Sequence, residues 1–208
     1  MKRNNLYAIV KGWLVIVLLL TAGCGGMNLA TPQAASPVPP TDVIKPTSTS
    51  IGPDLTLDTL KNADYSTSAL TEFLPEKARD KTMKLVDGQY HYIYESGAAT
   101  ELVIKFQQFA IGDLDSDGQN DSVVILFVSP GGSGIFYFLT AVLNKGGQPQ
   151  VASATSLGDR VLIEDLNVQN GVIVINLVTQ GPEDAMCCPT MKVERQYRLQ
   201  QGNLVQTP

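Results

Sequence analysis

Apolar side chains fall in short runs between residues 89 and 199, and glycine-rich or polar turns separate these runs. The runs are rich in β-branched and aromatic residues, which favour strands. We predict seven strands, at residues 89–94, 102–109, 122–128, 135–143, 161–168, 172–178 and 191–199. The run 122–128 is apolar after its first residue, which is typical of a central strand buried on both faces. Asn170-Gly171 lies between two runs and predicts a tight hairpin turn.

A helical pattern precedes these strands. Leu55, Leu57 and Leu60 alternate with charged residues and predict one short amphipathic helix over residues 55–63. Residues 69–83 can form a second helix, with Pro75 early in it. The whole pattern predicts a mainly β fold of the α+β class. It is an antiparallel, strand-rich single domain over residues 54–208, with one or two short helices at its N-terminal end.

Residues 25–53 have a different composition. They hold six of the twelve prolines, separated mostly by Ser, Thr and Ala, and they contain no aromatic residue. Such a segment cannot bury enough apolar surface to offset the entropy lost on ordering it. We therefore predict that residues 24–53 form a disordered tether, about 30 Å long when treated as a coil.

The first 23 residues have the layout of a secretory signal, with Lys2 and Arg3 ahead of an apolar stretch and small residues before Cys24. A cysteine at the cleavage position resembles the lipobox of bacterial lipoproteins, which signal peptidase II cuts. Thr21 stands where that family most often has leucine. The resemblance implies removal of residues 1–23 and lipidation of Cys24 with acyl chains such as palmitate. The alternatives are an ordinary secretory signal and a retained membrane helix, for which about 20 apolar residues are needed.

This resemblance implies an extracytoplasmic domain, anchored by lipid to the cell membrane or the outer membrane. Without the signal, 12 basic residues remain against 20 acidic ones, a net charge of −8. That charge repels phosphate backbones, so nucleic acid is not an expected partner. A cationic partner or a metal ion suits it better.

Residues 113–121, here called the acidic loop, carry the clearest chemical pattern. Glycine stands at the sixth position, Gly118, and permits a sharp turn. The carbonyl of Gln119 can add a ligand to those of the carboxylates. Aspartates stand at the first, third, fifth and ninth positions: Asp113, Asp115, Asp117 and Asp121. Because calcium takes six to eight hard oxygen ligands, we predict that these five residues hold a structural calcium ion.

The position of the loop decides which calcium motif it matches. An EF-hand needs glutamate at position 12 and a following helix, but Val124 stands there inside a strand pattern. The loop resembles instead the D-x-D-x-D-G-x-x-D loop of integrin-type FG-GAP repeats. One copy is present, so no propeller is implied. The alternatives are a plain solvated turn and a site for magnesium or manganese.

Adjacent cysteines mark residues 181–190, here called the cysteine loop. Cys187 and Cys188 can form a vicinal disulfide, whose ring strain makes such a bond easier to reduce. Export to an oxidising compartment favours this disulfide. Two alternatives stay open at this stage. The thiols can be reduced and partly buried, or they can serve redox or soft-metal chemistry.

Other residues offer weaker patterns for catalysis. Ser133 lies in a glycine-rich loop, but Ile135 stands where the nucleophile elbow needs glycine. His91 is the sole histidine and lies in an aromatic strand pattern, where it is more often a packing or surface residue than a base.

The domain as a whole is similar to domains of exported bacterial lipoproteins. The segments that carry this likeness are Gly112-Asp113-Leu114, Gly131-Gly132-Ser133-Gly134, Leu157-Gly158-Asp159-Arg160 and the cysteine loop. The likeness implies location and fold type and no activity. Our first hypothesis is a non-catalytic binding or structural module of the envelope, with a protein or envelope ligand as partner. The alternatives are an extracytoplasmic hydrolase, a thiol oxidoreductase using the cysteine pair, and a ligand receptor with a deep apolar pocket.

Overall fold

The computed structural model describes residues 52–95, 97 and 100–208. Among these described residues, two short α-helices come first, α1 (Leu57–Lys61) and α2 (Ser68–Thr71), followed by a 3₁₀ turn at Glu76–Ala78. The described part of the chain then contains nine strands: β1 (Gln89–Ile93), β2 (Glu101–Gly112), β3 (Asp121–Ser129), β4 (Phe136–Lys145), β5 (Gln148–Asp159), β6 (Leu162–Gln169), β7 (Val172–Thr179), β8 (Met191–Gln200) and β9 (Asn203–Thr207). The described residues belong to one compact unit. The prediction of an antiparallel, mainly β fold is confirmed.

The strands form two antiparallel sheets in sequence order. The first sheet has the order β1-β2-β3-β4-β5, and the second has the order β6-β7-β8-β9. Strand β2 packs against β6, and β5 packs against β9, so the second sheet covers the first. Each strand pairs antiparallel with the next strand of its sheet, through connections that range from two-residue turns to the acidic loop and the cysteine loop.

Strand β3, at the centre of the first sheet, is buried on both faces. Val124, Leu126 and Val128 join a core cluster that also contains helical residues such as Leu60 and Leu70. The intervening Val123 and Ile125 join a second cluster, whose other members include Ile173 and Ile175 from the second sheet. Side chains alternate between the faces of a strand, so a strand between two cores must be apolar at every position.

Two-residue turns set the register of several hairpins. Asn170 and Gly171 both have positive φ, 51° and 71°, as the predicted hairpin turn requires. The turn between β4 and β5, Gly146-Gly147, has φ values of 67° and 85°. The turn between β8 and β9, Gln201-Gly202, has 49° and 78°.

The structure differs from the sequence prediction at three elements: one predicted helix is broken, and two strands were not predicted. The predicted second helix over 69–83 is two short elements, because Pro75 is extended and its ring disfavours helical geometry in the residue before it. Strands β5 and β9 were not predicted from the pattern. Strand β5 is an edge strand of mainly small and polar residues, and Pro149 near its start is tolerated at an edge.

Some expectations concern residues that the structure does not describe. The signal at 1–23, Cys24 and nearly all of the tether at 24–53 lie outside the described residues, so these boundaries stay predictions. Within the described part of the chain, none of the helices has the length and apolar character needed to cross a bilayer.

Truncation of Leu126 tests the double-sided burial of β3. Leu126 is fully buried, so Leu126→Ala leaves a cavity and should lower the free energy of unfolding by about 2–5 kcal/mol. Leu162 is 55% exposed, and Leu162→Ala should change it by no more than about 0.5 kcal/mol. Urea denaturation of both variants measures the difference. Equal losses would contradict the assignment of the core.

Candidate metal site in the acidic loop

The acidic loop connects β2 to β3 and is anchored at both ends. Leu114 is 4% exposed and inserts into the second core cluster. Gly112, just before the loop, lies against β6 so closely that a Cβ there would be 2.5 Å from Cγ1 of Val168. Ser116 and Gly118 have φ values of 64° and 83°, which fold the loop back on itself. The loop is therefore held in place by packing at its base.

Three of the predicted ligands converge at the tip of this loop. Asp113, Asp115 and Asp117 each offer a carboxylate oxygen, and these oxygens lie within 4.8 Å of one another. Three such negative charges repel one another by about 1 kcal/mol per pair even at the dielectric of water. A cation between them removes that repulsion, so the cluster can hold a metal ion.

Backbone hydrogen bonds orient the three carboxylates. Asp113 accepts bonds from the N–H groups of Ser116 (2.7 Å) and Gly118 (3.1 Å). Asp115 accepts one from Asp117 (3.2 Å), and Asp117 accepts one from Gln119 (2.8 Å). The N–H of Gln119, and after it the Lys145 ammonium, lower the pKa of Asp117. Asp117 therefore stays ionised to a lower pH than an ordinary aspartate, as a metal ligand must.

Lys145 is a resident counter-ion of the cluster. It is the last residue of β4, and its Nζ lies 3.3 Å from Oδ2 of Asp115 and 3.4 Å from Oδ2 of Asp117. The hydrogen bond to Asp115 is the main cause of the raised pKa of Lys145. The pairs are partly exposed, so their contribution to stability is small. A metal ion bound between these oxygens would have to compete with this ammonium group.

Asp121 occupies a different place from the other three aspartates. It is the first residue of β3 and only 1% exposed. Its Oδ2 accepts a bond from the N–H of Leu114 (2.9 Å), and its Oδ1 accepts one from Asn144 (2.8 Å). Burial raises the pKa of this carboxyl, while the two N–H groups act to lower it. Asp121 therefore fixes the base of the loop, and the full five-residue ligand set stays a prediction.

Asn144 completes this base and was missed by sequence reasoning. It is fully buried, and its Nδ2 donates to the carbonyls of Pro53 (2.8 Å) and Asn120 (3.1 Å). Its Oδ1 accepts from the N–H of Gly147 at 2.7 Å. In the sequence, its role is indicated only by its position as a polar residue between apolar Leu143 and the Gly146-Gly147 turn. Asn144 and Asp121 together form what is here called the polar clamp.

The cysteine loop lies between β7 and β8, and its two cysteines are joined as a disulfide. Both cysteines are exposed. The loop is closed at its base by Asp184, which accepts bonds from Gly181 N (2.7 Å), Thr190 N (2.7 Å) and Thr190 Oγ1 (2.8 Å). The Gly181 N–H and the Thr190 groups lower the pKa of Asp184.

The catalytic candidates do not assemble into a nucleophile and base. The ring nitrogens of His91 face Glu101 Oε1 at 2.5 Å and Gln89 Oε1 at 3.3 Å. Ser133 is exposed, and its carbonyl accepts a bond from Arg160. A cleft of about 210 Å³ lies elsewhere, lined by Gln107, Gln108, Tyr137, Val161, Leu162 and Ile163. It is smaller than the about 300–1,000 Å³ of typical ligand pockets.

Comparison with known proteins gives no further assignment. The chain matches no protein-family model, no curated protein and no solved structure.

The different places of the aspartates predict different costs of substitution. Asp121→Asn replaces one buried acceptor oxygen by a donor facing a backbone N–H, and should lower the free energy of unfolding by about 1–3 kcal/mol. Asp115→Asn, at the exposed tip, should change it by no more than about 0.5 kcal/mol. Urea denaturation in a chelating buffer measures both. A loss for Asp115→Asn as large as that for Asp121→Asn would contradict the division between tip and base.

Proposed function

We propose that the protein is a lipid-anchored, exported and non-catalytic module of the bacterial cell envelope, with a binding or structural role and a calcium ion in its acidic loop. The observation that carries the calcium part is the convergence of Asp113, Asp115 and Asp117 on a loop with a rigid base. The location rests on the sequence pattern around Cys24.

Calcium suits the donor set because all the groups concerned are hard oxygens. Three carboxylates supply at least three oxygens, and the Gln119 carbonyl and water can complete the six to eight that calcium takes. Calcium accepts irregular geometry, whereas magnesium demands a near-ideal octahedron and keeps several waters. The ion would neutralise the loop and tie its tip to the base formed by the polar clamp. Its role is structural, since it stabilises the end of the first sheet.

A non-catalytic role accounts for what lies around the loop. The nearest charged side chain bonded to the cluster is Lys145, whose ammonium is paired with two carboxylates and is fully protonated at neutral pH. A protonated amine with a raised pKa is a poor general base. The tip of the loop is exposed, so an ion there would be screened by water and would supply little electrostatic catalysis.

Calcium should raise the thermal midpoint of the protein. Binding to the native state at a concentration 100 times the dissociation constant adds about 2.7 kcal/mol. The measurement is thermal melting of the full chain in detergent, with a chelator and then with millimolar calcium or magnesium. Calcium should give the larger shift.

Two variants make this experiment specific. Asp115→Asn combined with Asp117→Asn should melt normally in chelator and lose the calcium shift. Lys145→Gln should enlarge the shift, because the ion no longer displaces an ammonium. An unchanged midpoint of the wild type in calcium would reject the calcium part and leave the location untouched.

Lipidation predicts a specific fractionation result. The wild-type chain produced in a bacterium should be found in the membrane fraction, and its mass should correspond to a chain starting at Cys24 with added acyl groups. Cys24→Ala should abolish both the added mass and cleavage by the lipoprotein peptidase. Cys187→Ser is the matched control and should leave both unchanged. An unmodified wild-type chain in the soluble cell interior would reject the proposed location.

A further inference from the structure

Three sulfur-bearing side chains follow one another at the tip of the cysteine loop. Met186 is 72% exposed, and Cys187 and Cys188 are exposed as well. Methionine and cysteine are among the residue types most often buried, and Met83 follows that tendency with no exposed surface. Packing therefore does not explain why Met186 and the cysteines lie together on the surface.

The disulfide is not explained as a structural cross-link either. It joins sequence neighbours, and the entropy that a disulfide removes from the unfolded chain depends on the number of residues that it encloses. The loop is closed instead by the three hydrogen bonds to Asp184. In addition, Gln180 Nε2 donates to the carbonyl of Met186 at 3.1 Å. This frame does not depend on the sulfur–sulfur bond and can hold the tip in place when that bond is open.

The charge of the loop suits a cation. Residues 180–191 contain Glu183 and Asp184 and no Lys, Arg or His. Thiolate and thioether are soft ligands, which among biological metals select Cu(I) over hard cations such as calcium or magnesium. The tip thus combines soft donors, exposure and negative charge.

We propose that the reduced cysteine loop binds a soft monovalent cation of the Cu(I) class, with the thiolates of Cys187 and Cys188 and the thioether of Met186 as ligands. The disulfide is the oxidised, metal-free form of the same site. A dithiol reductant opens it by exchange: the Cys187–Cys188 bond breaks, the two electrons and two protons of the dithiol pass to the cysteines, and the reductant becomes a disulfide. Binding of Cu(I) then releases two protons from the thiols.

The test is a competition for Cu(I) under anaerobic conditions with the full chain in detergent. The protein is reduced with a dithiol, the reductant is removed, and Cu(I) is titrated against the chromophoric ligand bicinchoninate. Reduced wild type should bind one Cu(I) per chain, and the oxidised protein should bind none. The double variant Cys187→Ser/Cys188→Ser should lose binding. Met186→Leu should weaken it several-fold.

Matched controls separate Cu(I) binding at the cysteine loop from binding elsewhere on the chain. Met191 is 42% exposed but lies on β8 in register with Thr179, so Met191→Leu should bind as the wild type does. The variant Asp115→Asn/Asp117→Asn should also bind Cu(I) normally, which makes the result independent of the calcium proposal. The thermal midpoint of the double cysteine variant verifies that it is folded.

Each of four results would overturn the proposal. The first is that reduced wild type binds no more Cu(I) than the double cysteine variant. The second is that the oxidised protein binds Cu(I) as tightly as the reduced protein. The third is that Zn(II) binds more tightly than Cu(I), which would exclude selectivity for a soft monovalent cation. The fourth is that the Met186→Leu and Met191→Leu variants bind Cu(I) with equal affinity, which would show that Met186 is not a ligand.

Discussion

Burial of β3 on both faces is the constraint on which the architecture depends. Its even-numbered side chains need a cover on one side, which the N-terminal helical segment provides, and its odd-numbered ones need a cover on the other, which the second sheet provides. Because β3 pairs antiparallel with both β2 and β4, the end of β2, the start of β3 and the end of β4 meet at one corner. That corner brings Lys145 to the acidic loop.

The polar clamp supplies hydrogen bonds to the backbone groups that are buried where β3 begins and β4 ends. Asp121 and Asn144 are almost without exposed surface, and a buried carboxylate or amide is tolerated only when its hydrogen-bonding groups are satisfied. The spacing of the aspartates was enough to predict that several carboxylates converge, since that depends on neighbours in sequence. It could not predict that Asp121 turns inward, because Asn144 lies 23 residues away. The contact of Lys145 with Asp115 and Asp117 could not be predicted either, because Lys145 is also distant from them in sequence.

The same division between local and distant causes applies to the fold. The structure confirms the predicted strand at 122–128 and the Asn170-Gly171 hairpin. Both could be predicted because each depends on residues that are adjacent in sequence. Strand β5 has few large apolar residues, and its conformation is imposed by the ladder with β4. Strand β9 has five residues, but Gln201-Gly202 before it was a usable turn signal. The predicted second helix failed at Pro75, whose effect the pattern understated.

The polar clamp and Asn120 also determine which residues bear a force that is applied at Pro53 and Asp54. Asn144 holds the carbonyl of Pro53, and Asn120 donates to Asp54 at 3.1 Å, so the first described residues are fastened at the corner that carries the acidic loop. Tension applied at Pro53 and Asp54 is transmitted through these bonds to Asn144 near the end of β4 and to Asn120 just before β3. Because the N–H of Asn144 also donates to Asp121, which accepts a second bond from Leu114, a pull on these bonds acts on the base of the loop that carries the carboxylates.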